Sequence, residues 1–565
     1  MGLINGSLQI GSSALLAHQA AMQVIGNNIA NAGNTDFTRQ TPIMTSTRGA
    51  MLPQGFDSGA GVQLTGIERQ IDTALEQRLR SATSDKSHDD FISTTLGRLQ
   101  SLYPDLTEEG LSTKLNDFFD AFSKLQATPQ DESIRSTVIQ EGQSLAEQIQ
   151  TLRDDIIDIY NDVGETMGQT VDQINSITGQ IADLNVQIAN AKSGGDTAGA
   201  LMDKRDGLLK QLSELTDINV IEQDNGQVTV YIDSDPLIQG NEARTLEVRK
   251  TTQGDIVQPE VIFSDNSRKP NITGGTAGAV NELLNTLING NLHQLDTLAS
   301  GLIYEVNLVH SSGQGLHGYS EITSTNATVD PTDALNAAGL DYTPKNGSFL
   351  ITVTDKNTGQ QTVSQINVNL SGLGTQATLN NLAAQINLTP NLSATVLADG
   401  RLKVSSANNN STFTFSEDNS GVLAGLGINS FFTGNGAANI DVNSDLVADP
   451  QLVACAKNNL PGDGTNAADI SQLRTTSADS LNGLSITDYY RSIISDVGTR
   501  TAAATQNLNI HSSIVDTLQA QRESISGVSL DEETINLMSN QQAFAGAARF
   551  ITVINSMLQE VMKLI

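Results

Sequence analysis

The sequence predicts a multidomain α+β protein with a terminal α-helical coiled-coil domain, a long helical-rod domain with a small β part, and an inserted β-rich domain. Three observations support this prediction. The chain has 565 residues, too many for one hydrophobic core. Apolar residues repeat every seven positions near both ends and in the first half of the chain. Residues 320–455 instead are rich in Thr, Asn, Ser and Gly and contain short alternating segments.

The N-terminal segment predicts a helix that ends near residue 30. Its large apolar residues recur every seven positions, at Leu8, Leu15, Met22 and Ile29. The helix runs into GNNIANAGN, from Gly26, whose Gly and Asn residues tolerate turn geometry. Asn side chains also hydrogen-bond free backbone groups at a helix end. This segment therefore favours contact with another backbone over catalysis.

The C-terminal segment predicts a helix from about residue 530 to residue 565. It starts at a capping box, Ser529 to Glu532, with acids in the first turn. A seven-residue repeat then continues to the last residue, at Leu537, Phe544, Ile551, Leu558 and Ile565. Each such side chain gains roughly 1.5–3 kcal/mol on burial, so this face requires a partner helix. The N-terminal helix, or a helix of a neighbouring subunit, is the expected partner.

The middle of the chain predicts a helical rod. Helices are expected over 66–100 and 111–160, the second interrupted at Pro129, and heptads then continue to Ile188. About 60 helical residues would span roughly 90 Å. A β-hairpin is predicted where two strands flank Asp224-Asn225-Gly226. The predicted domains are 1–65 with 526–565 (terminal), 66–319 with 456–525 (rod, with the β-hairpin region near 218–264), and 320–455 (β-rich insert).

Composition excludes several classes of function. The formal net charge of −32 makes nucleic acid and anionic membranes poor partners. No run of 18 apolar residues predicts a membrane span, and no basic residue precedes Arg39 to form the start of a secretory signal. Taken alone, these features predict a cytoplasmic protein. The single cysteine, Cys455, is expected to be a small buried residue.

No enzyme is predicted from the residues. The sequence contains no Walker loop, HExxH, GxSxG or CxxC motif. Asp203, Arg205 and Asp206 are interpreted as a capping and ion-pair group at a helix start. His310 and His317 lack a third metal ligand nearby in sequence. We therefore predict no catalytic residue, no cofactor and no metal site.

Two motifs at opposite ends of the chain resemble the signatures of the bacterial flagellar rod, hook and hook-associated proteins. NNIANAGNTDFTRQ, from Asn27, is similar to the form NNIANAxTxGYSRQ, with Phe37-Thr38-Arg39-Gln40 in place of Tyr-Ser-Arg-Gln. SGVSLDEE, from Ser526, and Gln541-Gln542-Ala543-Phe544 resemble the C-terminal signature. The resemblance covers roughly residues 1–315 and 455–565 and is weakest in the insert.

This resemblance implies a structural subunit that forms the junction between hook and filament by helical self-assembly through its terminal helices. The implied partners are the hook protein, a second hook-associated protein, further copies in a helical ring, and a cytoplasmic export chaperone at the C-terminal helix. It also implies export by the flagellar type III route without a cleaved signal, so the expected location changes to the extracellular flagellum.

We predict the subunit interface at twelve residues from both ends of the chain: Leu15, Met22, Asn27, Asn28, Ile29, Asn31, Arg39, Leu537, Phe544, Ile551, Leu558 and Ile565. Two alternatives remain. Another axial subunit, of rod or hook type, would share the N-terminal motif, but as a family lacks the long 111–190 heptad region and SGVxLDEE. A surface adhesin or binding module could use the β-rich insert, but it does not explain the terminal heptads.

Overall fold

The computed structural model describes residues 2–47, 59–104, 110–253, 256–458, 460 and 462–563. The chain forms two compact units, each built from separate stretches of sequence. The first unit holds Met1–Thr94, Asp162–Leu284 and Ala503–Ile565, and the second holds Thr95–Asn161 and Asn285–Ala502. Three long helices contribute residues to both units.

Helices dominate the fold, as the sequence predicts. In chain order they are α1 (Gly2–Ala30), α2 (Thr73–Ser101), α3 (Leu111–Ala127), α4 (Glu132–Ser193), α5 (Gly199–Leu215), α6 (Gly275–Glu282), α7 (Ile288–Ser311), α8 (Leu379–Ile386), α9 (Val422–Leu426), α10 (Ser444–Ala448), α11 (Thr465–Gln472), α12 (Ile486–Ser526) and α13 (Leu530–Lys563). A π-helical turn, Leu283–Leu287, joins α6 to α7.

The strands form small antiparallel sheets. They are β1 (Gln40–Ser46), β2 (Val62–Arg69), β3 (Asn219–Glu222), β4 (Val228–Ile232), β5 (Asp235–Gln239), β6 (Glu242–Ala243), β7 (Leu246–Gln253), β8 (Ile256–Phe263), β9 (Glu321–Thr323), β10 (Gly347–Asp355), β11 (Gln361–Val368), β12 (Leu392–Val396), β13 (Leu402–Ser406), β14 (Ser411–Ser416), β15 (Phe432–Thr433) and β16 (Asp441–Val442). In the first unit, β1–β2 and β7–β8 are two-stranded ribbons and β3-β4-β5-β6 is a sheet. In the second unit the orders are β11-β10-β14, β12-β13-β9 and β15-β16.

In helix α4, the apolar residues of the heptad repeat are packed in the core. It is 62 residues long, and within the first unit its repeat positions Met167, Ile174, Ile181 and Ile188 are all fully buried. Polar side chains on the same helix hold the small β part: Asn185 Nδ2 donates to the Val228 carbonyl at 2.8 Å and its Oδ1 accepts from the Val228 amide at 3.0 Å. The sheet is therefore attached to the helix by hydrogen bonds from the Asn185 side chain to the strand backbone as well as by apolar contact.

The second unit has an aromatic core. Phe118 and Phe122 of α3 contact Phe431, with ring centroids 5.4 and 5.5 Å apart. Gly142 of α4 lies against the Phe431 ring, where an added Cβ would be 2.7 Å from Cε1. Strands β9–β16, within the predicted β-rich insert, also belong to this unit.

One element was predicted wrongly. The helix predicted from residue 66 begins only at Thr73, because Val62–Arg69 form strand β2. This segment pairs with β1, from Gln40↔Arg69 to Ser46↔Val62. The pairing gives its backbone the hydrogen-bond partners that a helix would otherwise supply.

Candidate functional site

The candidate functional site is the antiparallel pair of terminal helices, α1 and α13, in the first unit. Contacts spaced along both helices fix their direction. They are Gly11 against Ile551, His18 Nδ1 at 2.9 Å from Asn540 Oδ1, and Asn28 Nδ2 donating to Glu533 Oε2 at 3.0 Å. An added Cβ at Gly11 would lie 2.6 Å from Ile551 Cγ1, so the missing side chain is what permits this approach.

A group of four polar side chains, which we call the terminal clasp, joins the two end motifs: Asn28, Arg39, Glu532 and Glu533. Arg39 Nε donates to Glu533 Oε1 at 2.9 Å, and Arg39 Nη1 donates to Glu532 Oε2 at 2.8 Å. Asn28 donates to Glu533 and also to the Gln40 carbonyl at 2.8 Å, and its own Oδ1 accepts from the Gln40 amide at 3.1 Å. One asparagine therefore connects α1, β1 and α13.

Burial makes Glu533 the central member of the clasp. The residue is 1% exposed, and each of its carboxylate oxygens accepts one hydrogen bond, from Arg39 or from Asn28. A buried charge costs several kcal/mol unless it is paired and hydrogen-bonded. Glu532, in contrast, is 61% exposed on its side chain, so its pairing with Arg39 contributes little.

The two other predicted asparagines, Asn27 and Asn31, lie at the C-terminal end of α1. Asn27 is exposed and Asn31 is half-buried. The Asn31 side chain donates to the Asn27 carbonyl at 2.9 Å, and the Asn31 amide donates to the carbonyls of Asn27 and Asn28. These bonds satisfy backbone groups that the end of a helix leaves free.

The predicted apolar residues of α1, namely Leu15, Met22 and Ile29, are half-buried. The most deeply buried apolar positions of this helix are Ala17, Ala21, Val24 and Ile25. The closest packing of α1 therefore lies at these positions and not at the seven-residue repeat.

On α13 the predicted residues share one face. Leu537, Phe544, Ile551 and Leu558 are half-buried, and Ile551 contacts α1 directly. Glu533 and Asn540, which also contact α1, are seven residues apart and share the heptad position next to that of Leu537. We call this α1-facing side of α13 the seam. The remaining predicted residue, Ile565, lies outside the described residues.

A second apolar face of α13, which the sequence analysis missed, is only partly covered in the described chain. It consists of Phe550 (43% exposed), Val553 (53%), Met557 (60%) and Val561 (38%), and we call it the open stripe. Their spacing of three, four and four places all four on one side of the helix. The spacing was readable in the sequence, but the stronger seven-residue repeat of the seam concealed it.

Asp203, Arg205 and Asp206 form ion pairs, as predicted, but their partner Arg69, at the end of β2, was missed. The predicted capping role was wrong, because the first turn of α5 contains no acid and its N-cap is Ala198. Arg69 Nη2 donates to Asp203 Oδ1 at 2.7 Å and to Asp206 Oδ2 at 2.6 Å. Burial raises the pKa of the Asp203 carboxyl, and Arg69 opposes that shift. Arg205 is fully buried and donates to the Gly226 carbonyl at 2.7 Å, at the turn between β3 and β4. Asp203, Arg205 and Asp206 thus connect α5 to neighbouring strands.

The other sequence candidates for chemistry occupy structural positions. His310 is fully buried, with Nδ1 2.7 Å from the Asn429 carbonyl and Nε2 accepting from the Ala454 amide at 2.9 Å. Burial lowers its pKa to about 4, so the imidazole is neutral. Cys455 is buried, and burial raises the pKa of its thiol to about 11. Within the described part of the chain, no group of three His, Cys, Asp or Glu side chains is placed to hold a metal ion.

The described helices include none that combines the length and apolar character needed to cross a membrane.

Comparisons with known proteins agree with the motifs at both ends. Three family models match: flagella basal body rod protein over residues 8–36, flagellar hook-associated protein FlgK helical domain over residues 96–323, and flagellar basal body rod FlgEFG protein C-terminal over residues 519–564. The first and last of these segments contain most of α1 and α13.

Full-length relatives also match. Flagellar hook-associated protein 1 of Escherichia coli (strain K12) is 28% identical over 573 residues, covering 98% of each chain. The protein of the same name from Bacillus subtilis (strain 168) is 23% identical over 568 residues, covering 98% of this chain and 97% of the relative. Among solved structures, the flagellar hook junction protein FlgK from Burkholderia pseudomallei shares the fold, with a TM-score of 0.54 at 16% identity over 80% of this chain and 100% of that chain.

Proposed function

The chain belongs to the flagellar hook-associated protein 1 family, and from this premise we propose that its copies assemble through the open stripe of α13 while the seam holds α1 and α13 together within each copy. The protein is a structural subunit of the bacterial flagellum, at the junction of hook and filament, and it is not an enzyme. It assembles with other flagellar axial proteins.

The observation that carries the proposal is the division of α13 into two apolar faces. The seam has a partner in α1, whereas the open stripe stays largely exposed in the described chain, with Phe550 reaching α1 only beside Gly11. Covering four large apolar side chains that are about half exposed would contribute roughly 3–6 kcal/mol. A stripe on one copy that fits a different surface on the next is a heterologous contact, which propagates into a ring or helix.

We further propose the individual partners and the location. The hook protein would lie on one side, a second hook-associated protein on the other, and further copies laterally in the helical ring. An export chaperone would cover the C-terminal helix before assembly, which suits an exposed apolar helix face. Export through the flagellar type III route without a cleaved signal would place the protein outside the cell, and its lone cysteine forms no disulfide that would hinder passage of an unfolded chain.

The experiment adds purified protein to isolated flagellar hooks and examines the distal ends by negative-stain electron microscopy. The full chain should add density there, and a chain lacking residues 526–565 should not. Met557→Asp, on the open stripe, should also abolish addition because an unpaired charge would be buried between copies. Ala545→Asp places the same charge at an exposed position outside both faces and serves as the matched control.

Seam variants complete the test. Phe544→Asp and Ile551→Asp should leave the second unit folded but prevent incorporation, because they separate α13 from α1. Normal incorporation by Met557→Asp would remove the open stripe from the mechanism. If the full chain showed no preference for the distal end, the junction role itself would fail.

A further inference from the structure

Helix α2 contacts two other helices of the first unit through a cluster of ionisable side chains. Asp89, on α2, is 9% exposed and faces two imidazoles. His511 Nδ1, on α12, lies 2.6 Å from Asp89 Oδ2, and Nδ1 of the neighbouring His88 lies 3.4 Å from Asp89 Oδ1. The other ring nitrogen of His88, Nε2, lies 3.3 Å from Oε2 of Glu282, the last residue of α6. These four side chains, which we call the histidine cluster, therefore connect α2 with both α6 and α12.

The two histidines of the cluster need different numbers of protons. An ionised carboxylate accepts hydrogen bonds and cannot donate them, so each ring nitrogen that faces one must carry a hydrogen. The contact between His511 and Asp89 uses one nitrogen, and a neutral imidazole supplies the single N–H that it requires. His88 faces a carboxylate with each of its nitrogens, and only the imidazolium carries a hydrogen on both. The charged form of His88 is therefore the form that satisfies Asp89 and Glu282 together.

The surroundings of the cluster favour that charge. Asp85, one helical turn before Asp89 on α2, and Asp217, just after α5, add two acids to Asp89 and Glu282. Burial would lower the pKa of His88, but its hydrogen bonds to Glu282 and Asp89 outweigh burial and raise the pKa above its usual value of 6.5. Loss of the His88 proton would remove one of these hydrogen bonds and leave the neighbouring carboxylates to repel one another.

The raised pKa of His88 determines the direction of the pH dependence. A histidine whose pKa is higher in the folded than in the unfolded chain contributes stability that is fully present below pH 6.5. That contribution is lost as pH rises through the folded-state pKa. Burial also raises the pKa of the Asp85 carboxyl, so Asp85 contributes with the same sign, but its window begins at a pKa of 3.8, well below that of His88.

We propose that the histidine cluster is a proton-dependent latch, which fastens α6 and α12 to α2 when His88 is charged and loosens as pH rises. Helix α12 ends at Ser526 and α13 begins at Leu530, so the latch holds the helix that leads directly into the seam and the open stripe. Outside the cell, the latch would tighten the first unit in acidic surroundings and loosen it in alkaline ones. This last consequence alone rests on the proposed function, which places the protein there.

Hydrogen–deuterium exchange of the full chain at pH 6 and pH 9 tests the latch. Protection of each peptide is expressed relative to the unstructured chain at the same pH, which removes the direct effect of pH on exchange. Protection of α6, and of α12 around His511, should fall at least about threefold from pH 6 to pH 9. His88→Gln stays neutral, so its protection should change little with pH and should match the wild-type value at pH 9. An unchanged wild-type protection, or a fall that persists in His88→Gln, would overturn the proposal.

Two further variants control the exchange measurement. His88→Lys keeps a positive charge through pH 9, so its protection at pH 9 should exceed that of His88→Gln. His293→Gln replaces an exposed histidine of α7 in the second unit, and it should leave the wild-type response unchanged. Loss of protection in His88→Lys at pH 9, or loss of the response in His293→Gln, would show that the charge at position 88 is not its cause.

A direct titration keeps the proposal testable if the variants at position 88 fold poorly. NMR of protein with isotope-labelled histidine follows the His88 ring, identified as the signal that Glu282→Gln displaces. Its midpoint should lie above pH 6.5 and should fall in Glu282→Gln, which removes one of the two facing carboxylates. A midpoint at or below pH 6.5 would overturn the proposal. Neither measurement uses hooks, so failure of the latch and failure of hook-end binding are distinguished.

Discussion

Replacing Arg39 by alanine tests whether the terminal clasp holds α13 on α1. The substitution removes both Arg39 hydrogen bonds, but the two are not equal. The bond to Glu532 involves a carboxylate that is 61% exposed, and such pairs contribute less than about 0.5 kcal/mol. The bond to Glu533 involves a carboxylate that is 2% exposed on its side chain, and its loss leaves that charge with Asn28 as its remaining partner.

The magnitude follows from this burial. Breaking a fully buried ion pair by removing one partner costs about 3–5 kcal/mol. Arg39 itself is 22% exposed on its side chain, so water can enter the vacated space and reduce that cost. We expect a loss of about 2 kcal/mol in the local free energy of separating α13 from α1, or roughly 30-fold faster amide exchange if that opening controls exchange.

Hydrogen–deuterium exchange, followed by mass spectrometry of peptides from α1 and α13, measures this change. A local readout is needed because a chain of two units does not give a single global unfolding free energy. Glu532→Ala is the matched control and should change exchange by no more than about twofold. In the Arg39→Ala background, Glu533→Gln should recover part of the loss, because it neutralises the carboxylate left without its cation.

Two results would refute the reasoning. One is an Arg39→Ala protein whose α13 peptides exchange within about threefold of the wild-type rate. The other is a Glu532→Ala protein that exchanges as fast as Arg39→Ala, since the exposed carboxylate would then matter as much as the buried one.

Three further predictions concern single positions. Asn28→Asp should lower the free energy of separating α13 from α1 by on the order of 3 kcal/mol, more than Arg39→Ala does, because it places a second carboxylate beside buried Glu533. The same exchange experiment measures this change, and an effect smaller than that of Arg39→Ala would contradict the prediction. Gly11→Val should weaken the same pairing by about 1–3 kcal/mol, because its side chain would overlap Ile551; unchanged α13 exchange would show that the pairing accommodates the added side chain. His310 should make the second unit acid-labile. The pKa of His310 is about 4 in the folded chain and near 6.5 when unfolded. Its contribution to the free energy of unfolding is therefore fully present above pH 6.5 and is lost as pH falls towards 4, by about 3 kcal/mol in total. His310→Gln should flatten that dependence in exchange measured from pH 7 to pH 4, and an equally steep loss in the variant would assign it to other groups.

The sequence was informative wherever structure depends on nearby residues. The start of α13 at Leu530 follows from Ser529, whose Oγ accepts the Glu532 amide at 3.4 Å, as the capping box predicts. The hairpin between β3 and β4 follows from Asp224-Asn225-Gly226, where Gly226 has a φ of +83°. Both features depend on the interactions of a few consecutive residues, so the sequence pattern alone predicts them.

Prediction failed where a segment depends on distant partners. The second half of β2, from residue 66, was assigned to a helix because the alternation in Val62–Arg69 is short and its partner β1 is not adjacent in sequence. The clasp was missed for the same reason. Asn28 and Glu533 are 505 positions apart, and Glu533 within the DEE run looks like an ordinary acid in a first helical turn. Only the fold reveals that this acid is buried while Glu532, its neighbour, is exposed.

The clasp also explains how a pair of helices with so many small residues keeps one register. Alanine and glycine contacts alone discriminate poorly between alignments that differ by one heptad, because apolar side chains meet in each of them. Sliding α13 by seven residues along α1 would move Glu533 from Asn28 to Ala21, which is fully buried and has no side-chain hydrogen-bond donor. The carboxylate would then be buried without a partner, at a cost of several kcal/mol. The same slip would separate His18 from Asn540. Polar pairs therefore specify the register that the apolar seam stabilises, and because the open stripe lies on the same helix, this register determines where the stripe is presented to a neighbouring copy.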